Sequence, residues 1–170
     1  MQAALKPVTH LSIARHALQF ILHSAVEASP NRCCGMIGLR NTLICKAAAL
    51  PNNASDSLHH CEIAVHSDVK TSQSCDLQHT AAKWKADGIV MFGSYFTATD
   101  EETPKVSELR QFETALKSAL PELSSRPITH LALMLNTAGC LEAFAYQIHQ
   151  GSVVPVTLIL EEDGQQQKNG

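Results

Sequence analysis

The chain has 170 residues, of which 45% are hydrophobic and 17% charged, enough apolar material for a single packed domain. Its formal net charge is -3, from 13 Lys+Arg against 16 Asp+Glu. No basic run or basic-aromatic interleaving occurs, so nucleic-acid binding is disfavoured, because phosphate contacts need clustered cations.

The N-terminal stretch MQAALKPVTH lacks the apolar segment of a signal peptide. No stretch approaches the ~20 apolar residues that span a bilayer. A cytoplasmic protein with no membrane association is therefore expected. The triplet Asn53-Ala54-Ser55 matches a glycosylation site but has no meaning without export. Six cysteines are present, Cys33, Cys34, Cys45, Cys61, Cys75 and Cys140, and no two make a C-x-x-C pair. In a cytosolic chain they are expected as reduced thiols, not as a zinc ribbon or a redox motif.

In chain order, the first strong element is a helix from about Ser12 to Ala28. Ala14, Leu18, Ile21, Leu22, Ala25 and Val26 share one face, and Ser29-Pro30-Asn31 ends it. Cys33 to Leu39 reads as a strand, Arg40-Asn41 as a turn, and Thr42 to Leu50 as the returning strand. Pro51 to Ser57 is loop by composition. His60 to Val65 is a short strand candidate, and Ser67 to Ala86 a second helix stopped by Asp87-Gly88. Ile89 to Phe96 is a continuous apolar run, the pattern of a strand buried on both faces. A polar loop leads to a third helix, Val106 to Leu120, with Leu109, Phe112, Leu116 and Leu120 along one side. Ile128 to Leu135, Cys140 to His149 and Val153 to Leu160 are the last strands. The expected fold class is α+β, a single mixed β-sheet with flanking helices. The domain should span residues 1–160, and residues 161–170 read as a polar, disordered tail.

Four stretches resemble the JAMM/MPN metallopeptidase family, particularly its bacterial members. They are Pro30-Asn31-Arg32-Cys33-Cys34-Gly35-Met36-Ile37-Gly38, Leu50-Pro51-Asn52-Asn53, Gly88-Ile89-Val90-Met91-Phe92-Gly93-Ser94-Tyr95, and Glu142-Ala143-Phe144-Ala145-Tyr146 with the Val-Pro-Val strand that follows it. Their order and spacing cover about Leu11 to Leu160. The resemblance implies a cytidine-deaminase-like α+β architecture. In that family two His and an Asp bind zinc, a Glu acts as general base on the zinc-bound water, and a Ser supports the oxyanion. Zinc lowers the water's pKa towards ~7, so that it can attack an amide.

Carried over residue by residue, the Glu position falls on Arg32. The two His positions fall on Phe96 and Ala98, with Thr97 between them. The Ser and Asp positions fall on Val106 and Leu109. A shift of one residue gives Ser107 and Arg110 instead, and Glu108 stands near the Asp position. No His lies between His79 and His130. Phe, Ala and Leu offer no lone pair, and Arg is not a base. The resemblance therefore implies a degenerate member with no catalytic set, no metal and no cofactor.

Three other constellations bear on chemistry. Cys33-Cys34 admits a thiol-nucleophile reading, against which stands the ordinary burial of small strand cysteines. His59, His60, Cys61, His66, Cys75 and His79 make a loose His/Cys-rich region, in which Cys75 and His79 at i, i+4 are the best-spaced pair. Asp100-Glu101-Glu102 reads as a solvated acidic loop. His10, His16 and His23 show no partner pattern. The expected function is a catalytically inactive scaffold that self-associates or binds another protein through apolar helical faces or exposed strand edges. A ubiquitin-like or sulfur-carrier-type protein is one partner class the resemblance implies. The alternative is a hydrolase or a thiol or metal enzyme with a site rebuilt at Cys33/Cys34 or within residues 59–79. A third reading is a groove that binds a C-terminal Gly-Gly tail without cutting it.

Overall fold

A computed structural model describes residues 8–28, 33–50, 72–98, 104–121, 123, 127–135 and 138–162. The elements are β1 (His10–Ala14), α1 (Arg15–Ala28), β2 (Cys34–Arg40), β3 (Leu43–Leu50), α2 (Ser72–Ala86), β4 (Val90–Thr97), α3 (Val106–Ala119), β5 (Thr129–Leu135), β6 (Leu141–His149) and β7 (Ser152–Glu161). The expected strand from His60 to Val65 lies outside the described residues. No described helix is long and apolar enough to cross a membrane.

The α+β class and the single mixed sheet are as expected, but the sheet closes on itself in the order β1-β3-β2-β4-β5-β6-β7. Closure depends on a strand that the sequence reading gave to the first helix. Residues Ser12 to Ala14 belong to β1, and the helix starts only at Arg15. Leu11 and Ile13 alternate with His10 and Ser12, and both apolar members are buried. That period of two is a strand's, not a helix's. β1 runs parallel to β7 from His10↔Thr157 to Ala14↔Glu161 and parallel to β3 at Ser12↔Leu43 and Ile13↔Ile44. Every described strand is thus paired on both sides, which removes the exposed edges expected from the sequence.

Local chemistry sets the turns. Asn41 takes φ 57 in the β2–β3 hairpin, a left-handed conformation that Asn tolerates. Gln150 and Gly151, with φ 50 and 77, form the two-residue turn between His149 and Ser152, the double left-handed geometry that matches strand twist. Pro155 can sit in β7 because pairing with β1 begins only at Thr157.

Helices cover both faces of the sheet. On one, Ala17, Ile21 and Ala25 of α1, spaced i, i+4 and i+8, pack with Leu11, Ile13, Ile37, Tyr95 and Leu131. Val26, placed by sequence on the buried stripe, is 66% exposed instead. On the other, Trp84 of α2 and Leu109, Phe112 and Leu116 of α3 pack with Cys34, Met36, Phe96, Ala132 and Tyr146. β4 contributes to both clusters, which explains why its sequence is apolar without alternation.

Candidate functional site

The residues at the resembled family's metal positions come together beneath α3. Phe96 pairs with Cys34 on β2 and Ala132 on β5. Its ring centroid is 6.1 Å from that of Phe112 on α3, with the planes tilted by 37°. Phe96 and Leu109 are each 1% exposed and belong to one apolar cluster, against which Ala98 packs. Ala98 is fixed in turn by its backbone N–H, which donates to the Leu133 carbonyl at 2.9 Å. Val106 is half-buried at the start of α3, Glu108 is half-buried, and Ser107 and Arg110 are exposed. Arg32 lies outside the described residues. Three of the positions where zinc donors would stand therefore converge, but they present hydrocarbon. A divalent cation needs nitrogen, oxygen or sulfur lone pairs, so these side chains do not fit zinc.

Thr97 is bound to the next strand. Its hydroxyl oxygen accepts from the Cys33 backbone N–H at 3.1 Å, and its own N–H donates to the Cys33 carbonyl at 3.0 Å. The Cys33 sulfur is also 3.1 Å from the Thr97 hydroxyl. Cys33 and Cys34 are both buried, one in each of the two core clusters. They serve as small core residues at the start of β2, Cys33 just before it and Cys34 its first residue.

Beside Cys33, the Tyr95 ring crosses Gly35, where a methyl group would collide with it. Tyr95 is completely buried, and its hydroxyl has no hydrogen-bond partner among the described residues. Burial pushes the phenol well above its ordinary range. The Cys33 and Cys34 thiols add to the rise.

One rung below Phe96 on the same face lies a polar chain that the sequence reading did not single out. Ser94 and His130 are register partners on β4 and β5, and both are fully buried. The Ser94 hydroxyl is 2.8 Å from His130 Nδ1, and His130 Nε2 is 3.1 Å from a Glu113 carboxylate oxygen on α3. The other Glu113 oxygen is 3.8 Å from Lys117 Nζ. A neutral imidazole protonated on Nε2 satisfies all three groups: Nε2–H donates to Glu113, and Nδ1 accepts from Ser94. Phe112 meets the imidazole edge-on, with centroids 6.2 Å apart. Carboxylate, imidazole and hydroxyl in series make a hydrolase-like arrangement. The hydroxyl, however, is closed off from solvent, so the chain serves as a polar clamp between α3 and the sheet. Ser94, Glu113 and His130 are separated by 19 and 17 positions, 36 in all between the ends, so no local spacing announces them.

Most of the His/Cys-rich region lies outside the described residues. His59, His60, Cys61, His66 and the Cys75 side chain lie outside the described residues, as does Asp100-Glu101-Glu102, and His79 is exposed on α2. Among the described residues no group of three His, Cys, Asp or Glu side chains is placed to hold a metal. His16 contacts the Cys45 carbonyl at 2.8 Å, and His23 faces Glu27 at 3.1 Å, so both have local structural partners.

No family model matches the chain, and no curated protein matches it. Among solved structures, it is similar to protein DSY2949 from Desulfitobacterium hafniense, with a TM-score of 0.61 and 17% identity over 92% of this chain and 97% of that one. A JAB1/MPN domain protein, AF2198 from Archaeoglobus fulgidus, overlaps at a TM-score of 0.48 and 14% identity over 88% of this chain and 99% of that one. That second superposition is too loose to bear on the assignment. What the comparisons establish is a fold shared with DSY2949.

Proposed function

We propose that this chain is a non-catalytic MPN-like domain of bacterial type that works as a scaffold or protein-interaction module. The family assignment rests on the four sequence stretches and their order along the chain. The observation that carries the inactive reading is the packing of Phe96, Ala98 and Leu109 into one apolar cluster. Side chains at those positions would have to supply donors for zinc, and these stabilise a core instead. A cytoplasmic location and a partner protein, either a second copy or a ubiquitin-like or sulfur-carrier-type protein, belong to the same proposal. Strand-edge addition is not the route, because β1 occupies the edges of both β3 and β7. Docking would have to use exposed side chains such as Phe20 and Val26 on α1 or Phe144 and Ile159 on the sheet.

The test is an isopeptide- and peptide-cleavage assay with added zinc, alongside light scattering over a concentration series. The expected result is no cleavage, together with self-association or saturable binding of a ubiquitin-like protein. Cleavage abolished by a chelator would overturn the proposal.

The thiol alternative has one observation in its favour, the contact of the Cys33 sulfur with the Thr97 hydroxyl. Against it, Cys33 is 6% exposed and Cys34 1%, and burial of that degree keeps a nucleophile from its substrate.

A further inference from the structure

We draw no further inference here: the strongest candidate, the buried Ser94–His130–Glu113 chain between β4, β5 and α3, belongs to the site already described, and its sealed hydroxyl and imidazole give no indication of what they would act on.

Discussion

The Ser94 hydroxyl lies 2.8 Å from His130 Nδ1, with both side chains fully buried between β4, β5 and α3. Its replacement tests whether this chain clamps or catalyses. Ser94→Ala removes the hydrogen-bond partner of His130 Nδ1 and should cost about 1–3 kcal/mol. A double-mutant cycle of Ser94→Ala with Glu113→Gln should show coupling of about 0.5–3 kcal/mol, because both act on the same ring. Urea denaturation measures both quantities. A clamp also predicts that a serine-directed phosphonate leaves the folded protein unlabelled. Labelling lost in Ser94→Ala would make Ser94 a nucleophile.

Tyr95 makes the alkaline limb of stability informative. Its proton is held more tightly in the folded state than in the unfolded chain, because burial opposes the phenolate. The resulting stability is fully present below the unfolded value of about 10 and is lost as pH rises through the folded-state value. Tyr95→Phe should flatten that decline. At neutral pH it should lie within about 1 kcal/mol of the parent, since the hydroxyl removed has no hydrogen-bond partner among the described residues. Thermal melts at pH 7 and pH 10.5 would decide, and a large neutral-pH loss would show that the hydroxyl is satisfied after all.

Introducing donors tests whether Phe96, Ala98, Leu109 and Arg32 stand where the resembled family binds its metal. Phe96→His, Ala98→His, Leu109→Asp and Arg32→Glu together should create zinc affinity measurable by calorimetry. Leu109→Asp puts a carboxylate at a position 1% exposed, so the metal-free variant should be destabilised by several kcal/mol, of the order of 3–5, and zinc should raise its melting temperature. Phe96→His with Ala98→His is the milder companion should the full set not fold. Well-folded variants that ignore zinc would mean that the placement is wrong.

Two glycines mark where backbones or rings approach too closely for a side chain. A methyl on Gly93 would collide with the Thr129 carbonyl on parallel β5, and one on Gly35 with the Tyr95 ring and the Ala48 carbonyl. Neither glycine needs a left-handed backbone, so the cost of Gly93→Ala or Gly35→Ala is steric. Each should lose about 1–3 kcal/mol or more, seen as a lower denaturation midpoint. A neutral Gly93→Ala would contradict the β4–β5 register.

The sequence by itself determined most of the elements. The apolar run before Thr97 is a strand buried on both faces, the Leu109, Phe112 and Leu116 stripe is the buried face of α3, and Gln150-Gly151 is a turn. These features are local: periodicity and turn chemistry act within a few residues. The absence of donor atoms at Phe96, Ala98 and Leu109 was equally legible, because it is a property of residue type. Tertiary structure alone decided three things. Ser12 to Ala14 form a strand, not a helix start, because β7, lying 147 residues further on at the His10–Thr157 pair, offers them a partner. The sheet edges vanish for the same reason. Ser94, Glu113 and His130 become one hydrogen-bonded chain only when α3 lies across β4 and β5. Which distant segments pair is not written in local periodicity, since the contacts that stabilise such pairings exist only once those segments have met.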